Sequence, residues 1–279
     1  MQRCGIRVCS PLTQMHPPAR LLDLSDLFYV IGAGPLTGIN RVGKAYLDYF
    51  LALDNQIFGM VNHHWGIFLL DRRGMVAFAK GIEGDCSWGP VDWLAALQLG
   101  ISLEQRRALS FLRRNAIGRA RTPGLGRMLQ RLLPSGTAYI STGYGNLRQP
   151  VFAALRQVAA MRIAVLVHDT IPLDFPQYVS VGGEKWFAER LAIVGKMADL
   201  VIYNSAHSQV SAERHLARWK RVPPGLVAHL GVTALQPDFA AVPPNVDLDR
   251  PFFVVLGTIE PRKNHMLCKR FETAVGLAG

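Results

Sequence analysis

Ile163-Ala164-Val165-Leu166-Val167 is an unbroken apolar run that stops at His168-Asp169-Thr170-Ile171-Pro172. A short apolar run closed by polar residues and a proline reads as a strand buried on both faces. Two more such runs flank it, Ala138 to Ser141 upstream and Leu200 to Tyr203 downstream. Each of the three is preceded by a helical or Pro/Gly-rich stretch, and Phe187 to Met197 reads as a helix leading into the last. Strands alternating with helices predict an α/β fold, a Rossmann-like parallel sheet flanked by helices.

Working back towards the N-terminus, Leu27 to Ile31 reads as a short buried strand, followed by the turn Gly32-Ala33-Gly34-Pro35-Leu36-Thr37-Gly38. A helix fits Asn40 to about Leu53, with Val42, Ala45, Tyr46, Tyr49, Phe50 and Leu53 at helical spacing. Gly66 to Leu70 and Met75 to Phe78 flank Asp71-Arg72-Arg73-Gly74 and predict a hairpin. Working forward, the composition turns linker-like near Ala240 to Asn245, and Pro251 to Leu256 reads as a new apolar strand opening a βα unit. A lone strand and helix cannot bury their own faces. The expected organisation is therefore a lead-in over 1–20, a first domain over 21–242, and the opening unit of an incomplete second Rossmann-like domain over 250–279.

Composition narrows the classes. Hydrophobic residues make up 49% and charged residues 18%, ample for a packed core and too apolar for disorder. No charge-free apolar run approaches the ~18 residues of a membrane span. Pro11, Pro17 and Pro18 interrupt the N-terminal 20 residues, which read as a disordered lead-in rather than a targeting helix. Cys4, Cys9, Cys86 and Cys268 have no zinc-like spacing, and a disulfide framework does not suit this length, so a reducing, cytoplasmic compartment is expected. The net charge of +11 is localised: from Gln105 to His168 there is no acid but there are eleven arginines. That field favours an anionic partner. Within it, Ile101 to Ile117 reads as a basic amphipathic helix, either an ordinary surface helix or, with the rest of the 101–131 segment, a peripheral contact for an anionic membrane surface on the inner face of the plasma membrane. Nucleic acid is not expected as a partner, because the arginines are not interleaved with stacking aromatics.

Gly32-Ala33-Gly34 after an apolar run imitates the start of a dinucleotide fingerprint, but the third glycine arrives one residue late, at Gly38. A dinucleotide-dependent oxidoreductase is thus the weaker alternative. A glycine-rich turn into a helix still marks a place to meet a phosphate.

Four segments, in order, resemble the retaining glycosyltransferases of family 4: Pro35-Leu36-Thr37-Gly38-Ile39-Asn40-Arg41-Val42, Val165 to Leu173 with its His168-Asp169 pair, Ala198-Asp199 running on to Ser205 and Ser208, and Gly257-Thr258-Ile259-Glu260-Pro261-Arg262-Lys263-Asn264. The resemblance covers the chain from about Leu21 to its end. It implies the GT-B architecture, two Rossmann-like domains facing a cleft, and sugar transfer from a nucleotide sugar to a glycan or lipid-linked acceptor, as in polysaccharide assembly. It implies no metal and no further cofactor. By resemblance, His168 contacts the transferred sugar and Asp169 orients it or binds an acceptor hydroxyl. Gly38, Thr258, Arg262 and Lys263 serve the donor phosphates, Lys263 in the family's diphosphate-binding position. Thr258 stands where many members carry arginine.

Other readings stand beside these roles. On spacing alone, His168 is a satisfied buried histidine and Asp169 a turn cap. Asn204 and Ser205 read as a helix cap, and His63-His64-Trp65 as a surface loop. The family's paired donor-domain glutamates have no counterpart before Gly279, so the chain alone is expected to turn over negligibly, and a non-catalytic acceptor-binding remnant is the alternative.

Overall fold

A computed structural model describes residues 16–36, 38–231, 238, 242, 257 and 263–267. The expected linker (apart from Val242) and the strand at 251–256 lie outside the described residues, as does the lead-in before His16. Two compact units emerge, Met1–Thr170 with Glu189–His229, and Ile171–Ala188 with Leu230–Gly279.

The first unit opens with strand β1 (Ala19–Asp23) and helix α1 (Ser25–Tyr29). Helix α2 (Gly38–Ala52), strands β2 (Gln56–His63) and β3 (Gly66–Leu70), and helix α3 (Arg72–Glu83) follow. Next come α4 (Trp93–Ala96), α5 (Leu103–Asn115), β4 (Gly118–Ala120), α6 (Leu125–Leu132), β5 (Ala138–Ser141), α7 (Gln149–Leu155) and β6 (Arg162–Val167). Helix α8 (Ile171–Asp174) lies in the second unit, and α9 (Gly183–Met197) belongs to the first from Glu189 onward. Strand β7 (Leu200–Tyr203), helix α10 (Ala206–Arg218) and strand β8 (Gly225–Val227) complete the first unit.

All eight strands form one sheet in the order β4-β3-β2-β1-β5-β6-β7-β8. β3 is antiparallel to both β2 and β4, and every other pairing is parallel. The protein is thus α/β, with a mostly parallel mixed sheet flanked by helices, an arrangement compatible with a Rossmann-like fold. The strands expected at Ala138–Ser141, Ile163–Val167 and Leu200–Tyr203 are present as β5, β6 and β7.

Two expectations on the other side are overturned. Leu27 to Ile31 is not a strand: Ser25–Tyr29 is helical and β1 precedes it, starting at Ala19, inside the expected lead-in. Leu24, Leu27, Phe28 and Ile31 are all buried, and their spacing is that of a helix face. The expected hairpin over 66–78 is a strand followed by helix α3. Asp71, read as the start of a turn, instead caps α3 by accepting from the Gly74 N–H at 2.8 Å. Met75, Phe78 and Ala79 then bury one helical face. The hairpin that does form joins β2 to β3 through His64-Trp65, with His63 opposite Gly66.

Candidate functional site

β1 is followed by β2 on one side, whereas β5 lies on its other side and leads on to β6, β7 and β8. The β1/β5 boundary is therefore the point where strand order reverses, and in open α/β sheets the crevice beyond the strand C-termini at such a point is where ligands bind. The residues after β1 and β5 are Leu24 to Asp26 and Thr142 to Asn146. A small crevice there is lined by Asp23, Asp26, Asn40, Gly43, Thr142 and Gly143.

Asp26 is held against the β5 loop. Its carboxylate accepts from the N–H groups of Gly145 and Tyr144. A Cβ at Gly143 or at Gly145 would overlap that carboxylate, so both positions must be glycine for the loop to close on Asp26. Burial, and then the neighbouring Asp23, raise the Asp26 carboxyl above its ordinary range; the two backbone N–H groups and the Arg190 guanidinium pull the other way. Beneath it, Asp23 accepts from Tyr139 Oη at 2.6 Å and from the Ser25 N–H at 2.9 Å. Asn62 Nδ2 donates to Asn146 Oδ1 at 2.7 Å, joining the ends of β2 and β5.

His168 leaves β6 at the same end of the sheet and is 7% exposed. Its Nε2 lies 2.8 Å from the Thr142 carbonyl, its N–H donates to Tyr144 Oη at 2.8 Å, and its carbonyl lies 2.9 Å from Ser208 Oγ. A carbonyl only accepts, so Nε2 carries the proton and Nδ1 is the ring's remaining acceptor. Burial lowers the imidazole pKa against the opposing pull of Thr142 and Asp169, which keeps the ring neutral near pH 7. Its chemistry is that of a fixed hydrogen-bonding group rather than a phosphate-binding cation. Asp169, half-buried, follows directly. The buried-histidine reading is met: the ring is buried and its Nε2 is satisfied by the Thr142 carbonyl.

The other residues of the resemblance divide. Asp199 is a clamp. It accepts from Arg156 Nη1 and Nη2, each at 2.9 Å, and from the Ile163 N–H at 2.8 Å, tying the starts of β6 and β7 together. Burial raises its carboxyl, but the Arg156 guanidinium and the Ile163 N–H outweigh this and hold it below the ordinary carboxylate range. Ser205 caps α10 by accepting from the Ser208 N–H at 3.1 Å, as its residue type predicts. Gly38 opens α2, is exposed, and has φ +47°. In the second unit, Lys263 is exposed and its Cε lies 3.7 Å from where a Cβ on Gly257 would stand. Thr258 and Arg262 lie outside the described residues.

The dinucleotide fingerprint lacks its context, because Gly32-Ala33-Gly34 follows helix α1 rather than a strand. His63 is not in a surface loop: it ends β2, is 3% exposed, and accepts the Trp65 N–H on Nδ1 at 3.3 Å. Burial, then His64 and Arg113, lower its pKa to about 4. Helix α5 is present, but several of its arginines have internal partners. Arg113 pairs with Asp92, Arg114 donates to the Trp88 and Pro90 carbonyls, and Arg107 pairs with Glu104.

Sequence reasoning missed Asp26 and the Gly143-Tyr144-Gly145 loop. The available signal was a glycine pair beginning two residues past a recognised strand. Among the described residues no helix is long and apolar enough to cross a membrane. No family model, curated protein or solved structure matches the chain.

Proposed function

We propose that the chain is the acceptor-side part of a retaining GT-B glycosyltransferase, acting in the cytoplasm on a nucleotide-sugar donor and a glycan or lipid-linked acceptor. The observation that carries this reading is the meeting of the His168 loop with the crevice of Asp26, Thr142 and Gly143 at the strand-order reversal, joined by the Nε2 bond to Thr142. Sugar hydroxyls both donate and accept. A neutral imidazole with one acceptor nitrogen and a carboxylate held by backbone N–H groups present complementary atoms. Asp26 accepts from a hydroxyl of the acceptor, and His168 Nδ1 from a hydroxyl of the transferred sugar. Charge developing on the departing diphosphate is met by the first N–H groups of α2, beginning at Gly38. Asp169 orients His168.

The test is saturation-transfer NMR on the purified chain with a panel of oligosaccharides and uridine-, guanosine- and adenosine-diphosphate sugars. The expected result is saturation transfer to glycan protons that Asp26→Asn and His168→Ala each abolish without loss of fold. Binding of a nicotinamide dinucleotide in place of every sugar would overturn the reading.

A further inference from the structure

The eleven arginines of the acid-free stretch do not share one fate. Arg107, Arg113 and Arg114 have internal partners, and Arg156 is held by Asp199. Arg119, Arg121, Arg127 and Arg131 instead line a single groove on the β4 edge of the sheet, with Pro123 and Met128 between them. They arrive from three elements: Arg119 from β4, Arg121 from the turn after it, and Arg127 and Arg131 from successive turns of α6. Among the described residues no carboxylate pairs with Arg121, Arg127 or Arg131. Like charges one helical turn apart repel, and no acid from Gln105 to His168 offsets them.

Arg119 is fixed in place. Its Nη2 donates to the Trp65 carbonyl at 3.1 Å, and its guanidinium lies 5.3 Å from the centroid of the Phe68 ring. Gly66, at φ +148°, makes room for it: a Cβ there would stand 3.2 Å from Arg119 Nε. β3 runs against both its neighbours, so β4 points the same way as β1, and Arg121 leaves it at the same end of the sheet as His63 and Asp23.

We propose that this groove is a binding site for phosphate ester groups. Guanidinium forks match phosphate oxygens in a bidentate manner, and a bound phosphate anion relieves the mutual repulsion of the arginines. Arg119 supplies a pre-positioned wall, while Arg121, Arg127 and Arg131 supply the contacts. The phosphate belongs either to a soluble phosphorylated ligand or to a lipid headgroup, and the chemistry is shared. The site does not depend on the glycosyl-transfer reading.

The full chain is titrated calorimetrically with inorganic pyrophosphate, and separately sedimented with phosphatidylcholine vesicles with and without phosphatidylglycerol. Both are repeated for Arg127→Ala/Arg131→Ala and for the milder Arg121→Gln, after circular dichroism shows native fold. Loss of two charge-assisted contacts weakens binding by roughly tenfold or more. Pyrophosphate binding that falls by that factor in the double variant supports the site with a soluble source. Binding confined to phosphatidylglycerol vesicles, and lost in the variants, supports it with a lipid source. Arg121→Gln keeps the test valid if the double variant fails to fold. The proposal is overturned if neither probe binds or if binding is unchanged in the variants.

Discussion

On the β5–β6–β7 side of the sheet, polar groups are spent on internal geometry. Asp199 closes on Arg156 and Ile163, Ser205 closes on Ser208, and His168 bonds through its N–H, its ring and its carbonyl. On the β2–β3–β4 side, several cationic groups are left open at one edge, and the strands reverse direction. One side fixes a site; the other presents charge. Substitutions therefore divide into those that damage stability and those that alter only what binds.

The largest expected effect tests whether the end of β2 is as rigid as its burial implies. His63 titrates near pH 4 when folded and near its ordinary 6.5 when unfolded. Above pH 6.5 both states are neutral; as the pH falls towards 4, the unfolded chain takes up the proton first and stability drops. A shift of that size corresponds to about 3 kcal/mol by pH 4. Urea unfolding across pH 7 to 4 should show this loss, reduced in His63→Phe; equal slopes in both proteins would contradict it.

On the opposite side, Gly143→Ala forces a methyl into the Asp26 carboxylate and is expected to cost about 2 kcal/mol, by the usual penalty of overpacking. Asp199→Ala leaves the Ile163 N–H without its acceptor and Arg156 with only the Met161 and Met197 carbonyls, a loss of roughly 1–2 kcal/mol given partial solvent access. Ser205→Ala removes the α10 cap, at about 1 kcal/mol. Thermal melts rank the three, and a ranking that put the cap first would weaken the clamp interpretation. Arg121→Gln should move stability by less than about 0.5 kcal/mol, as an exposed substitution does.

The same contrast explains what the sequence disclosed. Parallel strands buried on both faces leave continuous apolar runs, and β5, β6 and β7 were readable from Ala138, Ile163 and Leu200 onward. Leu24, Leu27, Phe28 and Ile31 carry a helical period across only two turns, and reading from Leu27 hid it behind an apparent strand. Asp71-Arg72-Arg73-Gly74 has turn composition, yet an aspartate before a helix serves as a cap with the same side chain. Of the site, His168 and Gly38 were named from motifs. Asp26 was not, because its significance comes from Gly143 and Gly145, more than a hundred residues away in sequence. No local pattern encodes that approach. The arginine cluster was visible as composition, but only the fold separates the internally paired arginines of α5 from the open ones beside β4.

The most direct measurement is a nitrogen-15 chemical-shift map of the chain with the oligosaccharide that binds best. The account predicts perturbations centred on Asp26, Thr142 to Gly145 and His168, which Asp26→Asn removes. Perturbations confined to other strands, with those residues unmoved, would contradict it.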